Sequence, residues 1–335
     1  MSTITESFTA WVYRLPKWRG WLQLSPARPY MHTEEDYNTQ YRLTAPDPTE
    51  GEGLCALLQT HRIDTAGPAL EIGCGTGYLS YGLARHYPGP DFLVTDPSPA
   101  FLRLTQNQLE TLGATSARRH YAVLNADDLG DLPEGMFSVI ALRSTLHHIL
   151  KVEDFIAACS RILRPGGALM MGAEPCESGY LLMAAVAQSI PAALKAAGIE
   201  MRPKWTERLN DFTDTVKFCC LRDLNKTYAE DKHFFSPHQL SEIGGAHGLQ
   251  LKFHPTSSFR DFAPPYVRSF HSFSHFFLIY LQVCMSFDAE FMELIRTHLK
   301  DQLRFIDECH RSHAGPEVTG VFILKKTAPG AAGEG

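Results

Sequence analysis

The sequence predicts a doubly wound α/β fold, seven strands in a mostly parallel sheet, with an inserted α-helical cap. Three observations predict it: short apolar runs alternate with helical segments, start and stop signals mark the joins, and a glycine-rich turn follows the first strand.

From Pro68 to Pro175 the apolar runs are Ala69–Ile72, Phe92–Thr95, Tyr121–Leu124, Phe137–Leu142 and Ala168–Gly172. They lack polar alternation, as a parallel strand buried on both faces requires. Between them the pattern predicts helices over Tyr78–His86, Pro99–Leu112 and Val152–Leu163. Ser98 followed by Pro99 gives a capping hydroxyl and a proline at the first helical position, and Pro165-Gly166-Gly167 stops the third helix. Further on, a helix over Pro237–His247 feeds a strand at Gln250–His254, and Val318–Lys325 reads as the last strand.

The chain has 335 residues, enough for two domains or for one with large insertions. Its hydrophobic content of 44% and charged content of 20% are ordinary for a globular protein. A net charge of -6 offers no footprint for phosphate backbones, so nucleic acid is not an expected partner. The eight cysteines are scattered, without zinc-site pairing or disulfide density, which suits a reducing cytoplasm. Residues 1–10 do not read as a signal peptide. The most apolar run, Phe273 to Phe287, includes His275 and Gln282 and is shorter than the ~20 residues of a bilayer span, so no membrane span is expected.

The strongest local signal is Glu71-Ile72-Gly73-Cys74-Gly75-Thr76-Gly77, between the first strand and a helix. Its glycines let the backbone turn sharply and approach a ligand, and a helix N-terminus then presents N–H groups. A dinucleotide turn would want its third glycine one position later, where Tyr78 stands. Asp96 ends the second strand, where a carboxylate can accept both hydroxyls of a ribose, and Asp127 follows the third strand, placed for an adenine amino group.

Together with Leu146-His147-His148-Ile149 and Leu163-Arg164-Pro165-Gly166-Gly167, these residues resemble the class I S-adenosylmethionine-dependent methyltransferases. The resemblance covers Pro68–Pro175 well and the final elements loosely. It implies S-adenosyl-L-methionine as cofactor, with Glu71 and the turn Gly73, Cys74, Gly75 and Gly77 on the methionine portion. Asp96 and Pro97 would lie at the ribose, Ala126 and Asp127 at the adenine with Asp128 as the alternative, and Arg143 also in the cofactor site. The expected reaction is methyl transfer to a small molecule, oxygen favoured over nitrogen, sulfur or carbon by family frequency. A cyclase or decarboxylase that keeps the cofactor structurally, and a non-catalytic binding subunit, remain the rival readings.

Such a transfer chiefly needs an in-line nucleophile and exclusion of water. Candidate catalytic bases are His147, His148 and Glu174, at strand ends. The segment Leu142-Arg143-Ser144-Thr145 lacks the Asn/Asp-Pro-Pro-Tyr signature of amine methylation; Ala263-Pro264-Pro265-Tyr266 resembles it but reads as a loop. No metal is expected, and Cys309-His310 with His313 reads as a solvated helix end.

The expected organisation is a helical lid over 1–50, the cofactor-binding Rossmann-like core over 51–175 and a helical cap insertion over 176–233. Core completion follows over 234–259, then a second helical cap over 260–314, the final strand over 315–327 and a disordered tail over 328–335. Tyr37 and Tyr41 are candidate substrate residues in the lid. A homodimer is left open.

Overall fold

The computed structural model describes residues 7–28, 48–113, 115, 117–255, 272–311 and 316–327. Helix α1 (Phe8–Arg14) starts where the Ser7 hydroxyl accepts from the Ala10 amide, and a tight hairpin of β1 (Lys17–Trp18) and β2 (Trp21–Gln23) follows. Helix α2 (Thr49–Thr60) then leads into the core. There β3 (Ala69–Ile72), α3 (Ser80–His86), β4 (Asp91–Asp96), α4 (Pro99–Glu110), β5 (Arg118–Val123), β6 (Phe137–Arg143), α5 (Val152–Ile162) and β7 (Leu163–Pro175) alternate. Long helices α6 (Glu177–Ala196) and α7 (Pro203–Cys220) come next, then α8 (Pro237–Ala246) and β8 (Leu249–Pro255). The chain ends with α9 (Phe273–Ile279) and its π-helical turn Tyr280–Cys284, α10 (Ala289–His298), α11 (Lys300–Arg311) and β9 (Thr319–Lys326).

The sheet order is β1-β2-β5-β4-β3-β6-β7-β9-β8. Neighbours from β2 to β7 run parallel, and β9 lies antiparallel between β7 and β8. The seven expected strands are all present, and the hairpin adds two more at one edge. Every residue of β3 and β4 is buried, because helices cover both faces of the sheet. One face packs Leu70, Leu93 and Ile140 against α1 and α5 through Phe8, Trp11 and Phe155; the other packs Ala69, Val94 and Val139 against α2, α3 and α4.

Residues 7–28, which lie within the expected helical lid over 1–50, carry a strand pair as well as a helix. Leu22 and Gln23 pair with Ala122 and Val123, so this segment extends the sheet, while α1 buries Phe8 and Trp11 beside Phe137. Both strands are too short to carry a period in sequence, which hid them. The tail 328–335 lies outside the described residues.

The cap helices bury their aromatic stripes on one another. Trp205 packs on Phe291, Phe212 on Tyr280 and Phe273 on Phe277, within one cluster that draws on α6, α7, α9, α10 and α11. Helix α6 leaves the sheet at Pro175, the C-terminal end of β7, so the cap rises from the sheet edge where parallel strands bind ligands.

Candidate functional site

The strand order reverses at β3, which has β4 on one side and β6 on the other, and the crevice opens at their C-terminal ends. There the chain turns through Gly73, Gly75 and Gly77 with φ of +72°, +51° and +88°, a region that favours glycine. A Cβ on Gly73 would stand 2.8 Å from the Thr145 side chain, and one on Gly77 would stand 2.6 Å from Gln108 Oε1. Gly75 has nothing within 4 Å of that position, so its face is open to an approaching ligand. Cys74 is buried, its amide donates to the Thr95 carbonyl, and burial pushes its thiol well above the usual range. Its place in the turn is a backbone one.

Glu71 is 1% exposed. The Ser80 hydroxyl donates to its Oε1 at 2.9 Å, while Oε2 is buried without a hydrogen-bond partner among the described residues. Burial pushes its carboxyl up to about 8. A buried acceptor left unmet next to an open glycine turn fits a cationic group on a ligand. Asp96 accepts from the Gly75 amide at 2.9 Å through Oδ2 and from the Ser98 amide at 2.8 Å through Oδ1. These bonds orient it, and a carboxylate keeps further lone pairs for a diol. Pro97 accepts from the Arg28 amide, and Asp127, exposed, lies 3.8 Å from the Arg28 guanidinium. Ala126 opens the 3-10 turn Ala126–Asp131 and packs on the core. Asn125, not singled out from the sequence, accepts from the Asp127 amide and holds a buried Nδ2 without a partner among the described residues. These unmet polar atoms and the open Gly75 face fit S-adenosylmethionine at this end of the sheet.

Arg143, expected in the cofactor site, is held by two neighbours. Its Nε donates to Glu50 Oε2 at 2.6 Å and its guanidinium lies over the Tyr78 ring at 4.7 Å, so it braces α2 against the turn. Beyond it Ser144 and Ala173 take φ of +46° and +53°, backbone strain of the kind that gathers at working sites.

The irregularity in β7 between Met171 and Glu174 aims the Glu174 carboxylate at the turn after β6. Glu174 is fully buried; Oε1 accepts from the amides of Thr145 and Leu146, each at 2.8 Å, and Oε2 from the His147 amide and from His147 Nδ1 at 2.8 Å. Burial alone would raise its carboxyl, but His147 and these amides outweigh that and hold it below the usual range. With four donors Glu174 is a clamp for the turn and is no free base. Burial works against charge on His147, but Glu174 outweighs it, so the imidazole is raised; burial and then His147 lower His148. The rings of His147 and His148 lie 4.0 Å apart by centroids. Asp231, from the loop after α7, brings Oδ1 to 3.5 Å from His147 Nε2 and 3.6 Å from His148 Nδ1. Sequence reasoning missed Asp231 because a loop carboxylate so far along the chain carries no local signal.

Tyr37, Tyr41 and Ala263-Pro264-Pro265-Tyr266 lie outside the described residues, as does His313. His310 is buried, not solvated: its ring nitrogens face the carbonyls of Ile306 and Pro316 and the ring stacks on Phe273. Among the described residues no helix is long and apolar enough to cross a membrane.

Residues 70–169 match the family model of a methyltransferase domain. Over 112 residues the chain is 31% identical to a ubiquinone biosynthesis O-methyltransferase of Methylococcus capsulatus, covering 33% of this chain and 45% of that one. Over 153 residues it is 28% identical to the protein of the same name from Xanthomonas axonopodis pv. citri, covering 45% and 59%. The chain thus spans about half the length of the curated relatives it matches. Solved structures that resemble it include an S-adenosylmethionine-dependent methyltransferase from Methanosarcina mazei, 15% identical over 81% of this chain and 97% of that one, TM-score 0.44. Another is phosphoethanolamine N-methyltransferase 2 of Haemonchus contortus in complex with S-adenosyl-L-methionine, 13% identical over 88% and 56%, TM-score 0.45.

Proposed function

We propose that the chain, whose residues 70–169 match the family model of a methyltransferase domain, is a class I S-adenosylmethionine-dependent enzyme methylating an oxygen nucleophile of a small molecule. The observation that carries the reading is Glu71 Oε2, buried and without a partner among the described residues, just ahead of a turn whose Gly75 has an open face and donates to the Asp96 carboxylate.

When bound, S-adenosylmethionine supplies a methyl carbon made electrophilic by its sulfonium. The chain's part is to hold the cofactor and the acceptor in line and to keep water out. Glu71 would receive the methionine ammonium, and the turn Gly73–Gly77 would meet the carboxylate through backbone amides. Asp96, with Pro97 alongside, would accept from the ribose hydroxyls, and Asn125, Ala126 and Asp127 would hold the adenine. Arg143 is a positioning residue that acts through Glu50 and Tyr78. His147 and His148 stand beside the turn, because Thr145 ahead of them abuts Gly73. The names of the curated relatives support oxygen as the accepting atom.

The test is a turnover assay with S-adenosylmethionine and a panel of hydroxylated aromatic and aliphatic compounds, amines and thiols. S-adenosylhomocysteine should accumulate with a hydroxyl compound, together with the matching methyl ether. Turnover confined to amines or thiols would move the acceptor atom, and no turnover across the panel would contradict the reading.

A further inference from the structure

His147, His148 and Asp231 come from two distant stretches of chain, yet their ligand atoms all lie within 4.8 Å of one another. Glu174 can only accept from His147 Nδ1, so that nitrogen carries the proton and Nε2 is the atom turned to Asp231. A carboxylate that fixes one ring nitrogen while the other meets a cation is the usual support for a metal-binding histidine. The separations also fit. Two donors bonded to one ion at about 2.1 Å stand about 3.0 Å apart at a right angle and about 3.4 Å apart at the tetrahedral angle. Here His147 Nε2 to Asp231 Oδ1 is 3.5 Å and His148 Nδ1 to Asp231 Oδ1 is 3.6 Å. Without an ion His148 Nδ1 donates to the Glu230 carbonyl at 3.0 Å, which also accepts from Lys232 Nζ at 3.2 Å, so an ion would take the place of the His148 proton.

We propose that His147 Nε2, His148 Nδ1 and Asp231 Oδ1 form a binding site for a first-row divalent cation, with zinc the closest fit to this two-nitrogen, one-oxygen set and its fourth position open. The ion fastens the loop after α7 to the turn after β6. That loop already docks there through the Lys232 amide, which donates to the His147 carbonyl, and it is braced by buried Lys226, which donates to the carbonyls of Cys219 and Lys232. The three donors therefore rest on a scaffold that holds them together without the metal. Two neutral imidazoles and one carboxylate leave a divalent ion with one net positive charge beside the methyl-transfer crevice.

The experiment is zinc titration of the untagged full chain against a chromophoric chelator, without S-adenosylmethionine, with S-adenosylhomocysteine binding measured separately on the same preparations. One tight zinc per chain is expected. Asp231→Asn and His148→Gln should weaken it by at least the 10–100-fold, roughly, that loss of an outer-shell partner costs. Substituted cobalt(II) should show the visible absorption of a four-coordinate site in the wild type, which keeps the test independent of how the variants fold. Zinc uptake equal in wild type and both variants, or a wild type that retains no zinc and gives no cobalt spectrum, would overturn the proposal. In the second case a proton on His147 Nε2 holds Asp231 instead. Because the zinc arm omits the cofactor, its failure is distinct from failure of the methyltransferase reading.

Discussion

Glu71 has one oxygen bonded to Ser80 and the other buried without a partner among the described residues, so its charge is costly until a cation arrives. Its carboxyl rises from 4.5 to about 8 through burial. A raised folded-state value means that the stability contributed by the protonated form is fully present below the unfolded value near 4.5 and is lost as pH rises toward about 8. Urea melts at intervals across that window should show the free wild type losing stability relative to Glu71→Gln. Parallel curves for the two proteins would contradict the burial account. Cofactor binding should reverse the trend, since the methionine ammonium favours the ionised carboxylate. At this scale the placement of the candidate residues was legible: Glu71 and the glycine turn, Asp96 and Asp127 stand at the C-terminal ends of neighbouring strands, as their sequence positions implied. Glu174 was not legible as a clamp, because its four donors meet it only once β6 and β7 pair and β7 bulges.

At the scale of elements, α2 and α3 approach so closely that glycine is needed on both. A Cβ on Gly51 would lie 2.4 Å from the Leu83 amide nitrogen, and one on Gly82 would lie 2.3 Å from the Pro48 carbonyl oxygen. This crossing sets Glu50 where it reaches Arg143. Gly82→Ala should therefore force the helices apart and destabilise the protein by about 1–3 kcal/mol, the usual cost of overpacking. The same shift should lengthen the Glu50–Arg143 pair and weaken cofactor binding. A denaturation midpoint equal to that of the wild type would show that the helices are not held at this distance. Most elements could be read from the sequence because buried parallel strands are largely apolar; Ala69–Ile72, polar only at Glu71, coincides with β3. β7 begins earlier than Ala168 because Leu163 already pairs with Phe137, and the strand runs through Pro165-Gly166-Gly167, which read as a break. The β1–β2 hairpin was hidden for a different reason: two- and three-residue strands have no periodicity.

For the whole molecule, the sheet order sets the glycine turn, Asp96 and Asp127 at the C-terminal ends of neighbouring strands, and the cap rises from that same end of the sheet at Pro175. The cap's helical character was readable, and so was its need to pack on itself, since none of its stripes forms a core alone. Its loop carrying Asp231 back to the turn after β6 was not readable, because nothing local to Glu230–Lys232 announces a contact with His147. The central claim is that this end of the sheet binds S-adenosylmethionine through Asp96. Calorimetric titration of the wild type and Asp96→Ala with S-adenosylmethionine and S-adenosylhomocysteine tests it most directly, with thermal melts confirming that both chains are folded. The account predicts one site per chain for both ligands, weakened in the variant by about 1.5–3 kcal/mol through loss of a charged hydrogen-bonding group. A wild type that binds neither ligand, or a folded variant with undiminished affinity for both, would contradict it.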